Sequence, residues 1–157
     1  MKSFQINIDV ENSLHDIENY CRIRNFTGFD PYDASNSKFL YGTNRWLNLV
    51  LTQFFVHSPI NLRRFFGTKS GKNPKSIGLF LQSYCLAKKH NLLDKIDLDK
   101  VIENLVSYLL KSSSKGFSGI CWGYNFTWQN YDRLLPKFSP TVVNTSFIAN
   151  SFMDLYE

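Results

Sequence analysis

An all-α fold of antiparallel helical hairpins follows from three observations. Apolar residues recur at spacings of three and four in five separate blocks. The stretches between those blocks are rich in Gly, Pro, Ser and Asn, the residues that end helices and make loops. No set of segments carries the period-two alternation of half-buried strands. The chain is 157 residues long, enough for one domain with its own core and no disulfide or metal staple. Residues 1–157 are therefore expected to form a single helical domain, with 1–10 as a loose N-terminal segment.

The first block, about 11 to 24, places Leu14, Ile17, Cys21 and Arg24 on one face, with Glu11 and Asp16 toward the end a helix dipole favours for acids. The second, about 43 to 56, starts at Thr43 as N-cap, puts Trp46, Leu47, Val50, Leu51 and Phe54 on its buried side, and stops at Ser58-Pro59. The third follows Asn73-Pro74, an N-cap with proline at the first helical position, and carries Ile77, Phe80, Leu81, Tyr84 and Cys85 toward His90. The fourth, about 98 to 112, opens at Asp97 or Asp99 and repeats Val101, Leu105, Tyr108 and Leu109. The fifth starts from Ser139-Pro140 and buries Val142, Val143, Phe147, Phe152 and Leu155. It ends without a Gly or Asn C-cap and with acids Asp154 and Glu157 at the dipole's negative end, so the sequence reads as the N-terminal part of a larger helical domain.

Composition limits the function classes. Hydrophobic residues make up 43% and charged residues 20%, the balance of a globular chain and not of a disordered one. No apolar run reaches the roughly 18 to 20 residues of a membrane span and Met1 to Ser13 lacks a signal-peptide core, so a cytoplasmic protein is expected. Three cysteines without CxxC spacing, Cys21, Cys85 and Cys121, suit small thiols in a reducing compartment. HExxH, CxxC, P-loop and GxSxG patterns are all absent from the sequence, which leaves no motif for a metal or cofactor, and none is expected.

Three loop segments carry the residues suited to ligand chemistry. The stretch 58–75 holds Arg63, Arg64, Lys69, Lys72 and Lys75 and no acid, a charge of +5 that equals the net charge of the whole chain. It leads into the Asn73-Pro74 helix start, where free N–H groups also favour an anion. A phosphate or carboxylate held by Asn61, Arg63 and Lys75 is the expected ligand group, the guanidinium being able to grip it through two bonds. A solvated basic loop is the plainer alternative. The segment Trp122-Gly123-Tyr124-Asn125-Phe126-Thr127-Trp128-Gln129 sets aromatic faces beside amides, the combination that stacks on a sugar ring and bonds its hydroxyls, or simply fills a core. Asp30 and Asp33 are a close carboxylate pair in a loop and the candidate general acid and base; a turn and helix cap around Pro31 would use them equally well. Asp132 and His57 are weaker candidates, the latter being favourable simply as a cation at a helix C-terminus.

Taken together, Asn25-Phe26-Thr27-Gly28-Phe29-Asp30-Pro31-Tyr32-Asp33, Ser58-Pro59-Ile60-Asn61-Leu62-Arg63, Asn73-Pro74-Lys75, Cys121-Trp122-Gly123-Tyr124-Asn125-Phe126 and Pro140-Thr141-Val142-Val143-Asn144-Thr145 resemble a group of bacterial helical proteins. These are encoded with capsule and exopolysaccharide biosynthesis enzymes, are sometimes labelled aminolevulinate dehydratase, and are similar to α/α-toroid enzymes of the six-hairpin glycosidase type. The resemblance spans about residues 25 to 157 and implies a partial toroid whose loops meet at one mouth. Relatives carry an acid where this chain has Thr127, which favours binding over turnover here. The implied function is a carbohydrate-active or carbohydrate-binding protein of surface polysaccharide production. Its pocket would take a saccharide or sugar phosphate on Asp30, Asp33, Asn61, Arg63, Lys75, Trp122, Tyr124, Asn125, Trp128 and Gln129. Two other classes remain: an interaction protein, with a second copy or helical partner covering an open side, and a single-strand nucleic-acid binder. The near-neutral remainder of the chain argues against the last.

Overall fold

The structure is a computed structural model that describes residues 8–37 and 44–157. Residues 1–7 of the segment expected to be loose, and the expected cap Thr43, lie outside the described residues. Five α-helices occupy most of the rest: α1 (Ile8–Ile23), α2 (Arg45–His57), α3 (Pro74–Lys89), α4 (Leu98–Lys111) and α5 (Val142–Tyr156). A short 3-10 turn covers Asp33–Asn36, and two two-residue strands, β1 (Trp128–Gln129) and β2 (Leu134–Leu135), pair antiparallel, Trp128 opposite Leu135. The chain is mainly α, and this small ribbon is the only sheet among the described residues.

Local chemistry sets the helix ends. Asn73 caps α3, its side-chain oxygen accepting from Lys75 N at 3.1 Å with Pro74 in the first turn. Asp97 caps α4 through Lys100 N at 3.1 Å. Asn44 caps α2 through Trp46 N at 2.9 Å. For α5 the cap is Thr141, accepting from Asn144 N, so this helix begins two residues beyond the Ser139-Pro140 start read from the sequence.

α3 is the central helix, with α4 on one side and α5 on the other. Its buried residues Ile77, Leu81 and Tyr84 meet Ile102, Leu105 and Leu109 of α4 and Ile148 of α5, and Leu14 and Phe26 close the cluster from the α1 side. α5 approaches α3 closely because Gly78 has no side chain: a Cβ there would sit 2.9 Å from Ile148 Cγ1 and 3.3 Å from its Cα. A separate, smaller cluster forms around Phe55 of α2 with Leu51, Leu62 and Phe66.

Three helix faces differ from those expected. α1 buries Glu18 and leaves Ile17 60% exposed; the carboxylate accepts from Arg22 Nε at 2.9 Å and from the Tyr84 hydroxyl at 3.2 Å. Burial, with Glu18 beside it, pushes the Tyr84 phenol far above its ordinary range. α2 buries Asn48, Thr52 and Phe55, whereas Trp46, Leu47, Val50 and Phe54 face outward. α5 buries Asn144, Ile148 and Ser151, whereas Val142, Val143, Phe147 and Leu155 do not. On α5 the closeness of the α3–α5 contact at Gly78 seats Ile148 and the small Ser151 on the buried face.

Candidate functional site

The three loop segments do come together. Gly28 and Gly71 exchange two backbone hydrogen bonds, of 3.0 and 2.9 Å, which joins the 28–37 loop to the 58–75 loop. The Asn36 side-chain oxygen accepts from Thr127 N at 3.1 Å and ties in the aromatic segment. Between them lies a cavity of about 460 Å³, lined by Phe29, Asp30, Asn36, Asn73, Asn125 and Phe126 among others, with Arg24, Lys69 and Lys137 as the cations in its wall. Asn125 packs against the Gly71 backbone so closely that a Cβ on Gly71 would lie 2.4 Å from its Nδ2. Its Oδ1 is buried and has no hydrogen-bond partner among the described residues.

The two aspartates of the loop are fully engaged. Asp30 accepts from Tyr32 N at 3.0 Å and from Asn73 Nδ2 at 3.0 Å. Asp33 accepts from Asp30 N at 3.1 Å and from Arg63 Nε at 2.8 Å. Asp33 is 4% exposed, and burial pushes its carboxyl upward against the opposing hydrogen bond from Arg63. These contacts build the turn around Pro31 and open the 3-10 turn, the alternative role the sequence allowed them.

Arg63 is therefore not free to grip an anion. Its guanidinium also donates to the Pro31 carbonyl at 3.2 Å and lies over the Phe55 ring at 5.7 Å. At the helix start the Asn73 side chain is also engaged, its Oδ1 accepting from Lys75 N and its Nδ2 donating to Asp30 Oδ2 at 3.0 Å. The other cations of the 58–75 stretch separate. Lys72 Nζ bonds Asn25 Oδ1 at 2.7 Å on another face, Lys75 Nζ sits 4.7 Å from the Phe147 ring centre, and Lys69 alone lines the cavity. Asn61 accepts from Arg63 N in a tight turn and stands outside the cavity.

The aromatic segment divides in the same way. Trp122 belongs to the core: it is 4% exposed, donates Nε1–H to the Leu109 carbonyl at 2.7 Å and stacks on Phe152. It offers no face to a ligand. Tyr124 stacks on Phe126 at 5.0 Å and meets Trp128 edge-on at 5.9 Å, so these rings pack on one another. Burial, with Asp30 nearby, raises the Tyr124 phenol. Gln129 is buried and bonded to the Asn130 carbonyl at 2.7 Å. Of the ten residues read as a site, Asp30, Asp33 and Asn125 line the cavity.

Sequence reasoning did not select Arg24, Phe29, Asn36, Asn73 or Lys137 as ligand contacts. Phe29, Asn36 and Asn73 stand in or beside the loop segments read as suited to ligand chemistry, Arg24 ends the first helical block, and Lys137 follows β2 with no local signal. No group of three or more potential metal-ligating side chains occurs among the described residues. No helix among them is long and apolar enough to cross a membrane. No family profile, curated protein or solved structure matches the chain.

Proposed function

We propose that the three-loop cavity binds a saccharide bearing an acidic or phosphate group, within an α/α-toroid-type helical frame serving surface polysaccharide production in the cytoplasm. The observation that carries this reading is the convergence of three loops on one cavity whose wall offers the Phe29 ring, the Asn125 amide and the Lys69 and Lys137 ammonium groups. A ring face beside an amide and a few cations suits the C–H face, the hydroxyls and the acidic group of such a sugar. Binding is favoured over turnover because both oxygens of Asp30 and of Asp33 already accept hydrogen bonds, which leaves no carboxyl group poised to hand over a proton.

Calorimetric titration with galactose, galacturonate and galactose 1-phosphate tests this. Galacturonate or the phosphate ester is expected to bind more tightly than galactose. Asn125→Leu is expected to weaken every sugar about tenfold, and Lys69→Ala only the charged ones. Equal affinities for all three sugars in the Asn125→Leu and parent proteins sink the reading.

A second reading, an interaction protein closed by another copy or a helical partner, draws on the outward faces of α2 and α5, where Trp46, Val50, Phe54, Val142, Phe147 and Met153 are exposed. Light scattering is expected to return a mass above one chain if a second copy covers them; a monomer at all concentrations removes that form of the reading.

A further inference from the structure

A second cavity, of about 750 Å³, lies on another side of the molecule between the end of α1, Lys72 and the length of α4. Phe26 is the one residue it shares with the three-loop cavity. Its lining contains Arg22, Lys72, Lys95, Lys100 and Lys111 against a single acid, Asp97, whose carboxylate is occupied in capping α4. On α4, Lys100, Asn104, Ser107 and Lys111 recur at helical spacing and form a polar stripe about 16 Å long, with a cation at each end. Lys95, Lys100 and Lys111 take part in no ion pair among the described residues, while Arg22 is bonded to Glu18. Lys72, on the other side of the trough, is fastened to α4. The Tyr108 hydroxyl donates to the Lys72 carbonyl at 2.7 Å, and the Lys72 ammonium lies 5.3 Å from the Tyr108 ring centre.

We propose that this trough binds a stretch of acidic polysaccharide. Unpaired ammonium groups at the two ends of the stripe flank an amide and a hydroxyl, which suits a chain whose units carry a carboxylate and several hydroxyls. Long-range attraction brings such a chain in, and the amide and hydroxyl add direction. A nucleic-acid strand would also satisfy the cations, but it needs ring faces on which to stack its bases. The two rings of the trough already have partners: Phe26 packs against Phe80 at 5.0 Å and Tyr84 at 6.2 Å, and the Lys72 ammonium lies over the Tyr108 ring.

The test is fluorescence anisotropy with a labelled oligogalacturonate, a neutral oligogalactan and a single-stranded oligouridylate, at two salt concentrations. The oligogalacturonate is expected to bind best and to weaken as salt rises. Lys100→Glu with Lys111→Glu is expected to cost at least about tenfold in its affinity. Lys89→Glu with Lys115→Glu, which changes net charge equally but stands outside the trough, should cost less than about twofold. Asn125→Leu should leave this binding unaltered, so failure in one cavity is read separately from failure in the other. Equal losses in the two charge-reversed proteins, tighter binding of oligouridylate, or no binding of oligogalacturonate would each overturn the proposal.

Discussion

Arg63→Ala is expected to lower unfolding stability at neutral pH by about 3–5 kcal/mol, measured as a fall in the urea midpoint. The change strands the Asp33 carboxylate in a site that is 4% exposed and removes a 2.8 Å charge-assisted hydrogen bond. The deficit should depend on pH in a defined sense. Without Arg63 both influences of the guanidinium that hold the Asp33 carboxyl down vanish, and burial, aided by the Asp30 charge and opposed by the Asp30 N–H alone, drives its folded-state value further up. A carboxyl whose folded value exceeds its unfolded one binds a proton more readily when folded, so the stability lost at neutral pH returns as pH falls through that raised value toward about 4. Arg63→Met combined with Asp33→Leu, which removes both charges, should recover much of the loss. A neutral-pH cost below about 1 kcal/mol for Arg63→Ala would show instead that this arginine is available for a ligand.

Gly123→Ala is expected to cost about 3 kcal/mol. The residue lies where two stretches of chain touch: Phe138 N donates to the Tyr124 carbonyl at 2.7 Å and Thr141 N to the Trp122 carbonyl at 3.0 Å, with Gly123 and Pro140 bridged between them. A methyl group on Gly123 would fall 1.9 Å from the Ser139 carbonyl oxygen, a backbone atom that cannot swing aside. The stretches must part, which breaks these bonds and withdraws support from Asn125 two residues on. A urea midpoint within error of the parent's would mean that the segment tolerates separation.

The helices were legible in the sequence because their signals are local. Asn73-Pro74 and Asp97 announce their caps by side-chain chemistry alone, and the α3 stripe of Ile77, Leu81 and Tyr84 is buried as its spacing implies. The faces of α2 and α5 are not legible from apolarity, because on these helices apolar side chains such as Val50 and Val142 face outward. In α5 the decisive fact is a distant glycine, Gly78, which draws the helices so near that Ser151 and Asn144 fit the interface where Phe147 does not. The meeting of the three loops was foreseen, yet the roles within it were not. Charge density suggested that Arg63 and Lys75 act together, whereas a buried aspartate thirty residues away and a ring on α5 claim them separately. Nothing local distinguishes an aromatic that lines a cavity from one, such as Trp122, that fills a core.

Polar contacts tie the Asp33–Asn36 turn to its surroundings, through Arg63, which lies over the Phe55 ring of α2, and through Thr127 of the aromatic segment, and Asp33 and Asn36 also line the three-loop cavity. α2 packs against this same Asp33–Asn36 turn and against β1. A molecule bound against Asp33 and Asn36 therefore steadies the turn on which α2 rests, and occupancy of the cavity is coupled by mass action to the seating of that helix.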